Sequence, residues 1–417
     1  VRRRKRAAVL EDAMVHVVVV APYFGANMVH CLRCFAALEG VRLGIITAEP
    51  RERVPADLPI EGHFQVPNPL DGQQLIVATR AFQSQWGRVD RLEGYLEQLQ
   101  VPLAVARQAL GIDGLHVDAA MRFRDKNLMK ATLREAGLPV ARQARVHGYE
   151  DVRRFVDAVG YPIVMKPLDG AGARGTMRVT SDDELAAALN LLLPSPQRPV
   201  QAEEFVRGEE HTCETVCIEG RPVWRSSSFY LPGPLEVMEN PWMQYCLLLP
   251  REQALPHVQS FLPINAAALS ALGLRTGISH MEWFLRADGT PVIGEVGARP
   301  PGANIMKTNA AAHDTDMWAA WTRLMVHGTW EIPERRYASG SAFVRAMGRG
   351  RQIRSVTGLD ALQERIGARV VQAKLPRVGQ MRSSHYEGDG WVIVRAPETA
   401  EVVEALRAIV TTLEIRC

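Results

Sequence analysis

Lys166 closes the apolar run YPIVM, and Gly170, Gly172 and Gly175 follow it closely in the segment YPIVMKPLDGAGARGTMRV. A turn this rich in glycine can lay bare backbone N–H groups against phosphate oxygens, with the lysine supplying positive charge beside them. The order is not G-x-x-x-x-G-K-[ST], in which the lysine follows the glycines and opens a helix. Here the lysine comes first and the turn joins two strand-like runs, an arrangement that can fold over a ligand as a lid, with a snorkelling strand-end lysine as the alternative reading of Lys166 alone. Arg174 at the tip is placed either to reach a terminal phosphate or to sit in solvent. A second group is acidic. Glu282 in ISHMEWFL and Glu295 in PVIGEVGA lie on the two arms of a hairpin that turns at Asp288-Gly289, which sets them across from each other. Two carboxylates buried side by side repel unless a cation or a proton lies between them. A pair completed by phosphate oxygens is what Mg²⁺ takes. Their apolar neighbours, among them Met281, Trp283, Ile293 and Val296, argue against two solvent-facing acids. His280 shares a strand face with Glu282 by alternation. It is a candidate to meet substrate, as a base, or to be a hydrogen-bonded structural histidine. Arg299, in the constrained turn GARPPGAN, suits a carboxylate or a developing oxyanion, with a surface arginine as the alternative.

These residues need elements to hold them. VHVVVVAP, from residue 15, is a continuous β-branched run and reads as a buried parallel strand. GANMVHCLRCFAALEG has helical spacing and stops at Gly40, and VRLGIITAEP is the next strand. A β-α-β opening of this kind predicts a doubly wound N-terminal domain. DKNLMKATLREAGLP predicts an amphipathic helix with Asp125 as its N-cap and Gly137 as its stop, and so puts Lys126 at a helix start. Further helices are expected over DVRRFVDAVG, SDDELAAALNLLL, HDTDMWAAWTRLMVHG and PETAEVVEALRAIVTTL. YPIVMKPL and TMRVT read as paired strands, and RPVQAEEFVRG as a strand running into a linker. The stretch 226–250, rich in aromatic residues and Met, is expected either to line a pocket near Trp242 and Tyr245 or to be core.

Length and composition bound the alternatives. A chain of 417 residues with 47% hydrophobic and 23% charged residues has room for two or three domains. The net charge is +3, and the basic opening VRRRKRAAVLEDAM alone accounts for it. The remainder is formally neutral, which argues against a nucleic-acid-binding surface. Residues 1–14 read as a disordered basic leader, with Met14 as an alternative start. There is no apolar run of membrane-spanning length. The six cysteines are scattered. Cys31-x-x-Cys34 has no second pair, and its thiols, like Cys213 and Cys217, are expected to be reduced and buried rather than to bind zinc.

The order of these features resembles the ATP-grasp superfamily over roughly 120–310. That order is a basic residue at a helix start, a strand lysine with a Gly-rich hairpin, E-E-F-V, G-x-E, and then paired glutamates followed by E-x-x-x-R. The resemblance implies an α/β fold, with a Rossmann-like domain over 15–119, a small lobe with a Gly-rich lid over 120–204, and a large lobe with a C-terminal subdomain over 205–417. It implies that Lys126 and Lys166 hold nucleotide phosphates and that 170–175 is a mobile lid. Glu203 and the backbone of Phe205 and Val206 would meet adenine, and Glu210 the ribose. Glu282 and Glu295 would bind Mg²⁺, or Mn²⁺, and Arg299 would stand by an acyl phosphate. ATP, a small carboxylate and an amine would be the ligands of a cytoplasmic enzyme, with a homodimer possible and neither nucleic acid nor membrane as partner. H-x-E followed by E-V-x-A-R-P-x-G is most similar to the L-amino acid ligase and carnosine-synthase-like branch. A purine-pathway ligase or carboxylase and a non-catalytic nucleotide-binding regulator are the alternatives. One departure stands out: Gly297 occupies a position where many members have asparagine.

Overall fold

The computed structural model describes residues 14–168, 175–240, 243–385 and 387–417. The leader up to residue 13, Gly170, Gly172, Arg174 and Trp242 therefore lie outside the described residues. The protein is a mixed α/β molecule. Val15–Val20 is the buried parallel strand its sequence predicts. It pairs with Val41–Thr47 on one side and Arg91–Glu93 on the other, and Gly62–Gln65 extends the sheet beyond Val41–Thr47. The helix Ala26–Ala36 buries Met28, Leu32 and Phe35, sharing a core with Val17 and Val19. The helices Gly72–Trp86 and Gln100–Leu110 pack with Val18 and Val20, on the opposite face of the strand. Gly44 and Gly62 are register partners, and both lie under the rings of Phe82 and Trp86. A Cβ at Gly44 would fall 2.6 Å from Trp86, and one at Gly62 would fall 2.3 Å from Phe82. Only glycine admits that approach of aromatic helix to sheet.

A four-stranded antiparallel sheet, in the order Gln143–Val146, Val200–Glu204, Ile163–Pro167 and Met177–Val179, carries Lys166 and Glu203 on neighbouring strands. The helices Tyr149–Val159 and Asp182–Leu192 cover it through Val152, Phe155, Leu185 and Ala188. Ser181 caps the second helix by accepting from Glu184 N. The largest sheet has eight strands, in the order Pro291–Gly297, Gly277–Leu285, Glu209–Ile218, Arg221–Leu231, Tyr245–Leu249, Ala338–Val344, Gly390–Ala396 and Val370–Lys374. The helix Lys126–Glu135 is capped by Asp125, which accepts from the N–H groups of Asn127 and Leu128, and Gly137 beyond it has a φ of 72°. Met129 and Leu133 of this helix join Phe261, Trp283 and Ile293 in the core of the large sheet. The helix expected over 313–328 is Met317–His327, and a further helix, Ile305–His313, precedes it. Asp314 between them has a φ of 52°, and Asp316 caps the second helix through the N–H groups of Trp318 and Ala319. The helix Thr399–Thr412 opens with a capping box formed by Glu398 and Glu401.

Candidate active site

The edge hairpin of the large sheet turns as its sequence requires. Gly289 takes a φ of 81°, and Thr290 N donates to the Asp288 side chain at 2.9 Å. Glu282 and Glu295 are direct partners in the ladder, so both carboxylates leave the same face. The register then slips by one residue between Glu282 and Trp283. Gly294 occupies the slip, where a Cβ would press on the Phe284 ring at 3.0 Å and on Glu282 O at 3.2 Å. This bulge keeps the two acids level while the apolar arms continue into the core.

Across from the hairpin stand three lysines. Lys126 Nζ lies 2.6 Å from Glu295 Oε1. Lys130, one helical turn further, is 2.8 Å from Glu203 Oε1, and Lys166 is 2.9 Å from the same oxygen. Gln201 Nε2 also donates to that oxygen. Burial alone would push the Glu203 carboxyl up, but the two lysines hold it down at about 2. Burial pulls the Lys130 ammonium down to about 8, with Glu203 pushing back. Burial opposes the charge on Lys166 as well, and there Glu203 and Glu295 outweigh it, so its pKa is raised. The result is a buried, ionised cluster at the base of a cavity of about 840 Å³.

That cavity receives Lys126, Lys166, Glu203, Phe205, Val206, Glu210, His280, Glu282, Glu295 and Arg299. The residues that the sequence singles out, and that the structure describes, thus converge on one cleft, with Gly175 at its margin next to the lining residue Thr176. Gly175 has a φ of 69°, and its missing Cβ leaves room for the Pro167 ring. Glu210 is pushed well above the usual carboxylate range by burial and then by the charge of Glu282. Its Oε2 sits 2.4 Å from where a Cβ on Gly233 would stand. Phe205 lies under the Arg178 guanidinium at 5.4 Å. Its N–H donates to Pro162 O at 3.3 Å, which turns that amide into the sheet rather than toward a ligand.

At two places the geometry favours one of the two readings left open by the sequence. His280 is not placed as a base. Its Nδ1 is 2.8 Å from Glu214 Oε1 and its Nε2 is 3.5 Å from Glu282 Oε1. Burial would lower its pKa, but the hydrogen bonds to Glu214 and Glu282 raise it to about 9. At neutral pH the ring is a cation between two carboxylates. Tyr245 does not line the cleft. It is fully buried and stacks on Phe343 at 4.8 Å between ring centroids. Strand alternation sends Tyr245, Leu247 and Leu249 into one core and Cys246 and Leu248 to the other face. The same segment reaches the cleft instead through Phe229, Leu231, Leu235 and Leu248.

Three further residues escaped the sequence reading. Lys130 sits four residues after Lys126 on one helix face, a spacing that would have found it. Glu214 lies two strands from Glu295 and only the register reveals it: its partner in the neighbouring strand is His280. Glu97 arrives from the short 3-10 turn Glu97–Leu99 that follows the N-terminal parallel sheet. It accepts from Arg299 Nε and lies 3.9 Å from Arg124. Nothing in its local sequence marks it. Arg299 also donates to Pro300 O at 3.0 Å. Gly297 opens toward Glu97 and Arg299, and a Cβ there would meet each at 3.7 Å.

Residues 125–210 match the family model described as carbamoyl-phosphate synthase L chain, ATP binding domain. The chain is 24% identical over 247 residues to an L-arginine-specific L-amino acid ligase of Bacillus subtilis, an alignment covering 58% of this chain and 59% of that protein. The chain thus spans less than two thirds of the length of this curated relative. Among solved structures, the fold resembles an L-amino acid ligase from Bacillus licheniformis with a TM-score of 0.75 at 20% identity, covering 96% of this chain and 98% of that one. It also resembles the biotin carboxylase domain dimer of a Hydrogenobacter thermophilus 2-oxoglutarate carboxylase in complex with MgADP, ADP and bicarbonate. There the TM-score is 0.68 at 16% identity, covering 96% of this chain and 91% of that one. With two sheets flanking one charged cleft, a matching ATP-binding segment over 125–210 and these relatives, the chain is similar to carboxylate–amine ligases of the ATP-grasp type.

Proposed function

We propose that this protein is an ATP-dependent ligase that activates a small carboxylate, an amino acid, as an acyl phosphate and joins it to an amine, releasing ADP and phosphate. The observation that carries this reading is the facing of Glu282 and Glu295 against Lys126, Lys130 and Lys166 across one cleft. A carboxylate that attacks a triphosphate brings two anions together, and such a constellation offsets that repulsion.

The donor set fits Mg²⁺, with Mn²⁺ as an alternative. Glu282 and Glu295 offer carboxylate oxygens on one face, each now turned toward a cation of the protein. The metal would screen the phosphate oxygens and polarise the γ-phosphoryl group. The triphosphate would take Lys126 and Lys166, and the base would lie along the linker at Phe205 and Val206. Glu210 would accept from the ribose. Glu203 is a positioning residue in this scheme: it holds Lys130 and Lys166 rather than the base. Arg299 would meet the acyl phosphate and exchange its Glu97 contact for the substrate anion. His280, as a cation, would hold Glu282 in place and add positive charge to the site. The amine must lose its proton before attack, and no single side chain of the cleft is assigned as its base. The lid 170–175 would keep water away from the acyl phosphate.

The meeting of Lys126, Lys166, Glu282, Glu295 and Arg299 in one cleft favours catalysis over a purely regulatory nucleotide site. A homodimer is proposed by likeness to the dimeric neighbour. A cytoplasmic site of action is part of the proposal; no helix among the described residues is long and apolar enough to cross a membrane. The test is a coupled ADP assay across pairs of amino acids. ADP should form only when an acid and an amine acceptor are both present. If no pair raises ADP above the rate with enzyme alone, the ligase reading fails, and nucleotide binding without turnover would establish the regulator instead.

A further inference from the structure

The Cys31-x-x-Cys34 segment does not place its two sulfurs together at the surface. Cys31 is fully buried in the core, while Cys34 lies at the helix margin with 8% exposure. What stands beside Cys34 is His30, one turn back on the same helix, and Asp316, the N-cap of the helix Met317–His327 packed across it. His30 Nε2 is 2.8 Å from Asp316 Oδ2, and Cys34 Sγ is 3.8 Å from both. The geometry points to a divalent transition-metal site, Zn²⁺ by its chemistry, formed by His30 Nε2, Cys34 Sγ and Asp316 Oδ2, with water as the fourth ligand.

Four observations carry this assignment. The first is the triangle itself. With Zn–N and Zn–O near 2.0 Å and Zn–S near 2.3 Å, the edges of a tetrahedral site are roughly 3.3–3.6 Å. The observed edges lie a few tenths of an ångström on either side of that range, so small side-chain rotations close the site. The second is convergence. The same ring nitrogen of His30 faces both the thiol and the carboxylate. A nucleophilic Cys–His–Asp relay would use the two nitrogens in turn, whereas a shared point suits one cation. The third is preorganisation. Asp316 Oδ1 accepts from Trp318 N at 2.8 Å and from Ala319 N at 3.2 Å. The carboxylate is thereby fixed by its cap, with Oδ2 aimed at His30 and Cys34, and such outer bonds orient metal ligands. The fourth is balance of charge and access. One thiolate, one carboxylate and one neutral imidazole match a doubly charged ion. The side chains of His30 and Asp316 are 47% and 41% exposed, which gives the ion an entry path.

Binding would break the His30–Asp316 hydrogen bond and form bonds from the ion to Nε2, Sγ and Oδ2, and the Cys34 thiol proton would pass to solvent. The two elements so joined already share the Phe35–Trp321 edge contact at 5.7 Å. The ion would therefore clamp the N-terminal parallel domain to the helix pair that follows the Arg299 turn.

The test uses the full chain, reduced and stripped of metal, titrated with Co²⁺. One equivalent should bring up a thiolate-to-cobalt charge-transfer band in the near ultraviolet, and Zn²⁺ should abolish it and raise the melting temperature. Cobalt held by Glu282 and Glu295 would have oxygen ligands only and would give no such band. Cys34→Ser should lose the band. His30→Ala and Asp316→Asn should each weaken binding by about tenfold or more, in line with the loss of part of a ligand set. Asparagine keeps the cap, so Asp316→Asn serves even if the serine variant folds poorly. No band in the wild type, or a band and an affinity that survive in His30→Ala and Asp316→Asn, would overturn the assignment.

Discussion

Glu214→Gln is the most informative substitution outside the cleft wall. Glu214 is 1% exposed, lies behind the site, and reaches substrate only through His280. Glutamine keeps its shape and removes its charge. In the wild type the imidazole titrates at about 9, above its ordinary 6.5. At pH 7.5 it is therefore more than ~90% protonated, given a factor of ~10 per pH unit. Without the carboxylate, burial regains the upper hand and pulls the ring to its ordinary value or below. Most of the ring is then neutral at pH 7.5, and Glu282 loses the cation beside it. The gap between 6.5 and about 9 is worth about 3 kcal/mol at ~1.4 kcal/mol per pH unit. A raised folded-state pKa contributes stability that is full below pH 6.5 and disappears as pH rises through about 9. Wild type should accordingly lose stability on the alkaline side of neutrality, and Glu214→Gln should lack that slope. The assays are urea unfolding at a series of pH values and nuclear magnetic resonance titration of the His280 ring. The pH–rate profile for ADP formation should lose its limb near 9 in the variant. A wild-type ring that titrates near 6.5, or a ring unmoved by the substitution, would refute the reasoning.

Glu295→Gln should reduce ADP formation by about 100-fold or more, as loss of transition-state electrostatics does, while far-ultraviolet circular dichroism stays unchanged; substantial turnover would remove Glu295 from the metal site. Lys130→Met leaves Glu203 with Lys166 as its remaining lysine partner and should cost about 1–3 kcal/mol. The depressed Glu203 pKa contributes stability above pH 4.5 that is lost as pH falls through about 2, so the variant should unfold at a higher pH in an acid titration. Gly44→Ala drives a Cβ to 2.6 Å from Trp86 and 2.7 Å from Phe82 and should destabilise by about 1–3 kcal/mol through overpacking. Its urea midpoint should fall, and an unshifted midpoint would contradict the close approach described for that face of the sheet.

Local patterns led to the elements, and long-range pairing arranged the site. Val15–Val20 announced itself as a buried strand by its β-branched run, and Asp125 announced the helix that carries Lys126. The level placement of Glu282 and Glu295 followed from one turn and the two-residue period of a strand. The Gly294 bulge did not, because alternation does not reveal where a ladder slips. Glu97 and Glu214 were illegible for a different reason. Each acts through a partner on another element, Arg299 and His280, and the state of that partner depends on burial and on charges distant in sequence. His280 shows the cost: by type it looked like a base, and the two carboxylates around it make it a cation. His30, Cys34 and Asp316 show the same principle outside the cleft. A C-x-x-C spacing drew attention to two sulfurs, whereas the fold brought one of them to a histidine on its own helix and an aspartate 282 residues away.

The central claim is that a carboxylate of the substrate attacks the γ-phosphate. It is tested most directly with amino acids labelled with ¹⁸O in their carboxyl groups, incubated with the enzyme, ATP and Mg²⁺, and analysed by mass spectrometry. Formation and breakdown of an acyl phosphate must carry one carboxyl oxygen into the released phosphate. The expected products are ADP, an amide and phosphate bearing one ¹⁸O per turnover. Label found in AMP, or phosphate released without label while an amide forms, would contradict it.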